Sequence, residues 1–250
     1  DFGLQGEMPS HPELLDWLAV EFMESGWDQR ALIELILTSE TFRQQSHTNQ
    51  QLLEADPENR LLARGPRFRM DGFAIRHSAL QTSGLLDRRF GGRPVKPYQP
   101  EGLWNAVSSG AGTRYQPATG DDLYRKSIYT YWKRAVNPPR QIIFDAAGRE
   151  ACNVNARVTN TPLQALVLMN DVTFIEAARH LAQRVLEEES EDPVARIYEL
   201  ATAQALDEKT SAVLHENLNF FREHFQSKPE AATTFLETGE SARNENLDPI

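Results

Sequence analysis

Apolar residues recur at three- and four-residue intervals along most of this chain, and that rhythm predicts helices. Leu14, Leu15, Leu18 and Phe22 form one stripe, with Val20 beside it and Gly26 placed to stop it. Ahead of the stripe, Ser10-His11-Pro12-Glu13 has capping-box spacing, in which Ser10 and Glu13 satisfy free backbone N–H groups. Asp28 stands as the cap of a second stripe, Leu32, Leu35, Ile36 and Phe42. These two segments read as an antiparallel hairpin, with Trp17 and Trp27 as core or staple residues. Asp56-Pro57 predicts a further helix start, and Asp71 caps a helix through Ala74, Ile75 and Leu80 toward Gly84. In the last third, helices are predicted at about 162–169, 172–189, 193–206, 208–226 and 229–237. Asp192-Pro193 and Lys228-Pro229-Glu230 mark two of their starts.

The pattern breaks in the middle. Residues 87–122 carry Gly91-Gly92, Pro94, Pro97, Pro100, Gly102, Gly110, Gly112, Pro117 and Gly120, and read as a long irregular segment. Its aromatic residues Tyr98, Trp104 and Tyr115 argue that it is fastened down or used for function, not left disordered. Tyr124–Arg134 supports two readings: β-branched and aromatic content suits a strand, while Tyr124, Ile128 and Trp132 share helical spacing, which we prefer. Ile142, Ile143 and Phe144 read as a short extended piece. The fold class is therefore all-α, irregular at 87–122, without a solenoid-type repeat. The organisation is one helical domain over 1–250, subdivided into N-terminal helices at 1–86, an irregular basic and aromatic segment at 87–160, and C-terminal helices at 161–250.

Charge alters this picture more than bulk composition does. The net charge of -10 conceals an asymmetry: residues 1–59 hold 2 basic and 12 acidic side chains, residues 60–96 hold 9 and 2, residues 97–157 hold 8 and 5, and residues 181–250 hold 6 and 15. A basic middle lies between acidic ends, to be neutralised by them or exposed as an anion-binding face. Nucleic acid is not expected as a partner, because the net charge repels phosphate. No apolar run reaches the ~18 residues of a membrane span, and no signal-peptide pattern occurs. The chain opens on Asp1 and reads as a fragment of something longer.

The candidate chemistry is sparse. Arg64-Gly65-Pro66-Arg67-Phe68-Arg69 would project Arg67 and Arg69 to one side of an extended segment and turn Phe68 inward, a placement suited to carboxylate or sulfate. Arg93, Tyr98 and Trp104 in the irregular segment combine sugar stacking with anion contact, or simply anchor the loop. Thr161-Pro162-Leu163-Gln164 is a capping box, Thr161 and Gln164 being the reciprocal partners. With Arg149 and Arg157 alongside, that helix start is also a candidate anion contact. Cys152, the single cysteine, is either a low-pKa nucleophile or a small buried apolar plug. The histidines His11, His47, His77, His180, His215 and His224 show no ligand spacing, so no metal site is expected. The sequence carries no Cys-x-x-Cys-His, phosphate loop or Gly-x-Ser-x-Gly.

HPELLDWLAVEF, DPENRLLARGPRFRMD, KPYQPEGLW, YRKSIYTYWKR and REACNVNARVTNTPLQALVLMND occur in this order. Together they resemble the planctomycete domain of unknown function fifteen fifty-three, the C-terminal domain of proteins that often carry a planctomycete-type cytochrome c domain. The chain departs from many relatives in having Asn155 and Ala156 where they place arginine. The resemblance implies truncation at both ends, an extracytoplasmic location and a multidomain bacterial protein sometimes encoded beside a sulfatase-like neighbour. It assigns no catalytic residue, and any haem would belong to a cytochrome c domain outside this chain. The leading expectation is an accessory domain that works in redox-linked or polysaccharide-related processes through a basic contact surface, with the other domains of the polypeptide or an anionic polysaccharide as partners. Two alternatives stand beside it. One is a hydrolase or oxidoreductase on an anionic glycan, with a site of Arg67, Arg69, Tyr98, Trp104, Glu150, Cys152 and Arg157; the other is a purely structural interdomain module.

Overall fold

The computed structural model describes residues 5–104, 115–149 and 158–249. Ten α-helices occur among them, no sheet is formed, and pairing is limited to isolated bridges such as Val95 with Thr130. The fold is all-α. The chain divides into two compact units, Asp1–Arg69 and Met70–Ile250.

In the first unit, α1 (Pro12–Glu24) packs on α2 (Gln29–Thr38), and α3 (Gln50–Ala55) follows. Asp28 caps α2 as expected, its carboxylate accepting the N–H groups of Arg30 at 2.9 Å and Ala31 at 3.2 Å. The predicted capping box at α1 is not formed. Pro12 takes the first helical position, His11 becomes the N-cap without a side-chain bond, and Ser10 Oγ meets the His11 ring at 3.0 Å. Asp56 closes α3 rather than opening a helix: its carboxylate accepts the Leu61 N–H at 2.7 Å and the Arg60 N–H at 2.8 Å, which form a tight turn. Those N–H groups, Leu61 first, hold the Asp56 carboxyl below the usual carboxylate range.

No hydrophobic side chain of this unit is buried among the described residues. Trp17 and Trp27 are 50% and 65% exposed, so neither is a core residue, although Trp27 packs edge-on against Phe22 at 5.3 Å. Phe68 is 75% exposed and does not turn inward.

The second unit contains α4 (Gly72–Ser83), α5 (Pro139–Ile143), α6 (Pro162–Asn170), α7 (Val172–Glu187), α8 (Pro193–Thr202), α9 (Glu208–Ser227) and α10 (Pro229–Leu236). Helix α7 is its hub and packs on α4, α6 and α8. The sequence signals at the helix ends are met. Asp71 accepts the Ala74 N–H at 2.7 Å, Gly84 closes α4 at φ +83°, and Asp192 accepts the Ala195 N–H at 3.0 Å. Gln164 Oε1 accepts the Thr161 N–H at 3.2 Å, which closes the predicted capping box of α6. From α7, His180 Nδ1 donates to Ser83 O at 2.8 Å and Arg184 Nη1 to Thr82 O at 2.9 Å. These bonds satisfy carbonyls that the end of α4 leaves without internal partners.

The apolar core gathers Leu80, Leu123 and Tyr124, with Leu85, Leu86, Tyr98 and Ala118 against it. Phe144 and Phe174 add an edge-to-face pair at 6.3 Å. Polar groups are buried with them. Arg76, 1% exposed, donates to Leu123 O at 2.6 Å, Arg125 O at 2.7 Å and Ser127 Oγ at 3.3 Å. Burial pushes its pKa down, and the neighbouring Arg140 adds to this.

That arginine explains a departure from the sequence reading. Tyr124–Arg134 is neither helix nor strand but 3-10 turns at Gly120–Tyr124 and Ser127–Tyr129. A regular helix there would need the carbonyls of Leu123 and Arg125 for itself, and Arg76 holds both. Ile142 and Ile143 belong to α5 instead of an extended piece, because Pro138-Pro139 presets a helical turn. The described parts of 87–119 are free of helix, as expected, and are fastened by backbone bonds such as Tyr131 N–H to Val95 O at 2.7 Å.

Glu176 of α7, 1% exposed, anchors the C-terminal segment. Its Oε1 accepts the N–H groups of Glu240 and Ser241, both at 2.7 Å, and the Tyr124 hydroxyl at 2.8 Å. Gly239, at φ +91°, is required where the strap passes, since a Cβ there would lie 2.2 Å from Glu176 Cδ. Further along α7, Arg179 donates to Ser241 O at 2.8 Å and Gln183 Oε1 accepts the Asn244 N–H at 3.0 Å. Burial, reinforced by the Glu176 charge, pushes the Tyr98 hydroxyl up to about 12.

Candidate functional site

Most arginines of the basic middle are used internally, by carbonyls and carboxylates close at hand. Arg140 pairs with Asp171 at 2.8 Å, and Arg89 with Asp87. Arg125 donates to Arg89 O at 3.1 Å and lies 4.0 Å over the Tyr129 ring. Arg64 spends Nη2 on Asp56 O and Pro57 O, each at 2.9 Å, inside the first unit, where Arg67 and Arg69 also lie.

Two cations of the second unit are placed differently. Arg149 lies over the rings of Trp132 at 4.6 Å and Phe73 at 5.4 Å, themselves stacked at 6.4 Å. Lys126 lies 3.7 Å over the Phe90 ring. Neither makes an ion pair among the described residues. Cation–π contact holds such a charge in place without neutralising it.

Both line a cleft of about 890 Å³ beside α4. Phe73, Ala74, Met70 and Ile128 give it an apolar floor, and His77, Ser78 and Gln81 stand along the helix. The sequence builds this wall in two steps. Asp71 fixes where α4 begins, and Phe73 and His77 then fall one turn apart on the same face. Across the cleft, Ser127 bonds Arg76 and leaves Lys126 and Ile128 on the 3-10 turn to face outward; Ile128 is 70% exposed. Near the Arg149 side, Asp145 ties the chain to Thr159, accepting its N–H at 2.8 Å and its hydroxyl at 2.9 Å. A mostly apolar cleft with cations along its wall suits a ligand that offers both a flat or aliphatic face and a negative group.

The residues proposed from sequence do not converge here. Of those among the described residues, Arg149 alone lines the cleft. Arg93 is almost fully exposed, 4.0 Å from Asp122. Tyr98 accepts the Glu240 N–H at 2.9 Å beside Glu176. Trp104 is buried against Tyr115 and Tyr131, and its indole N–H donates to Gln99 Oε1 at 2.9 Å. Glu150, Cys152 and Arg157 lie outside the described residues. Sequence reasoning missed Phe73, His77 and Lys126. The available signal was Lys126 inside YRKSIYTYWKR, where the helical reading hid its outward turn.

Among the described residues, no group of three or more His, Cys, Asp or Glu is placed to hold a metal ion. Among the described residues no helix is long and apolar enough to cross a membrane. His77 is not hydrogen-bonded to a hydroxyl or carboxylate among the described residues. A family model described as "PSD1: Protein of unknown function (DUF1553)" matches residues 1–218. No curated protein and no solved structure matches the chain.

Proposed function

The chain belongs to the DUF1553 family of proteins of unknown function, and from that premise we propose that it is an accessory binding domain. In this reading it is part of an exported multidomain bacterial protein and docks sulfate or carboxylate groups of an anionic polysaccharide in the α4 cleft. The domains beside it, including any cytochrome c domain with its haem, supply chemistry that this chain does not. One observation carries the proposal: Lys126 and Arg149 are held on aromatic rings, make no ion pair among the described residues, and line a largely apolar cleft. Sugar rings present apolar faces to such a floor while their anionic substituents reach the cations. The reading is one of binding because the described lining of the cleft offers cations and an apolar floor.

Affinity electrophoresis in gels containing dextran sulfate tests this against gels with uncharged dextran. The wild type should be retarded only by the sulfated polymer, and less so as salt is raised. Lys126→Ala and Arg149→Ala should each weaken retardation about 2- to 5-fold, the effect of losing one exposed ionic contact of about 0.5–1 kcal/mol. Equal retardation of the double variant and the wild type would sink the proposal.

A further inference from the structure

We propose a second ligand site, distinct from the α4 cleft: the cavity among α7, α8, α9, α10 and the C-terminal strap binds an amphipathic anion, an aliphatic body with one carboxylate or sulfate head. The cavity measures about 630 Å³ and shares no lining residue with the cleft. That volume lies within the ~300–1,000 Å³ of small-molecule pockets. Its walls are aliphatic, with Ile197 and Leu218 among them, and no charged ligand would choose them without an apolar portion.

The sign of the head group follows from three arginines that line the same space: Arg179, Arg222 and Arg243. Arg179 is only 7% exposed and spends Nη2 on Ser241, while its buried Nε and Nη1 have no partner. It makes no ion pair among the described residues. A buried guanidinium with two unmet N–H groups keeps donor capacity for an anion, and a low-dielectric surround strengthens its positive field. Arg222, exposed, and Arg243, half-buried, are likewise without ion pairs and lie where the field meets solvent.

Three carboxylates, Glu191, Asp192 and Asp248, also line the cavity, and none makes an ion pair with these arginines among the described residues. Asp192 is committed to the α8 cap, Asp248 has a partner of its own, and Glu191 is exposed and screened by water. His215 Nδ1 donates to Ser211 O at 2.9 Å, so this ring nitrogen is taken up within α9. The anionic head thus sits against Arg222 and Arg243 with Arg179 behind them, and the tail lies along the aliphatic wall. Arg222 and Arg243 lie beyond residue 218, so this site extends past the family-matched stretch.

Calorimetric titration of the whole chain with dodecanoate, below its micelle-forming concentration, tests the site. One saturable event is expected, with dodecyltrimethylammonium at least tenfold weaker. Arg222→Ala combined with Arg243→Ala should cost at least tenfold in affinity at an unchanged melting temperature. Leu218→Trp, which fills the cavity, should abolish binding. Arg149→Ala should leave dodecanoate binding intact, so failure of the α4 cleft and failure of this site are read separately. Several outcomes overturn the proposal: no dodecanoate binding, equal binding of the cationic chain, or an unaffected arginine double variant. Loss of binding in Arg149→Ala would do the same, as would binding to phosphatidylglycerol vesicles without binding of free dodecanoate.

Discussion

The first unit, Asp1–Arg69, and the second, Met70–Ile250, obey different physics although both are helical. In the first, order is mostly local, apart from the exposed Arg60–Glu7 pair at 3.0 Å and the Gly65 N–H to Gln45 O bond at 3.0 Å. Asp28, Asn49 and Asp56 each satisfy N–H groups within five residues, and the apolar stripes of α1 and α2 stay largely exposed, Leu15 at 53% and Ile36 at 41%. In the second, order is long-range. Arg76 reaches carbonyls 47 and 49 residues away, and Glu176 takes N–H groups 64 and 65 residues away. Helix punctuation can therefore be complete while the burial that normally stabilises a helix is missing from the same stretch. A buried polar group, by contrast, commits distant parts of the chain to each other, because leaving its partners unmet is costly.

The contrast breaks most sharply at Glu176. Glu176→Ala removes the acceptor of the Ser241 N–H and the Tyr124 hydroxyl and leaves the Glu240 N–H with Tyr98 alone, and should cost about 3–5 kcal/mol in urea unfolding of the second unit. Glu176→Gln, which keeps one acceptor oxygen, should recover part of that loss. Arg76→Met comes next, at about 2–4 kcal/mol, since it orphans the carbonyls that fix the 3-10 turns. Near-ultraviolet circular dichroism should register their release through Tyr124 and Tyr129.

Alkaline titration separates the units without mutation. The Tyr98 pKa is raised by folding, so its contribution is present in full below the ordinary tyrosine value of about 10. It is lost as pH rises through about 12. The second unit should loosen over that window, with ultraviolet absorbance at the tyrosinate band reporting ionisation; ionisation complete by pH ~10.5 in the folded chain would contradict the buried cluster. Asp28→Ala should cost about 1 kcal/mol, seen as a modest loss of α2 helicity. The smallest effect is expected for Trp17→Lys, within ~0.5 kcal/mol, as for other exposed positions. A loss of several kcal/mol there would mean that the α1 face is covered, and the contrast between the units would dissolve.

How legible the fold was depended on the range of each contact. The caps at Asp28, Asp71 and Asp192, the box from Thr161 to Gln164 and the stop at Gly84 could be read because each lies within three or four residues of the groups it serves. Ser10-x-x-Glu13 misled because Pro12 fitted the first helical position with His11 as its cap. Tyr124–Arg134 misled because an arginine about fifty residues away claims its carbonyls, which no local pattern records. Of the cleft, Arg149 was found through its charge. Phe73 and His77 were not, because a side chain facing outward and one facing inward look alike on a short helix whose apolar residues run all round it.

The strap laid along α7 also has a consequence for where this protein can be cut. The family match stops at residue 218, yet two of the N–H groups that Glu176 Oε1 accepts arrive at Glu240 and Ser241. An expression fragment trimmed to the matched stretch would retain every helix through most of α9 and still carry a carboxylate stranded in its interior. The cooperative folding unit and the recognisable sequence unit are different lengths here. A shortened fragment that aggregates would reflect that mismatch and not any weakness of the helices it contains.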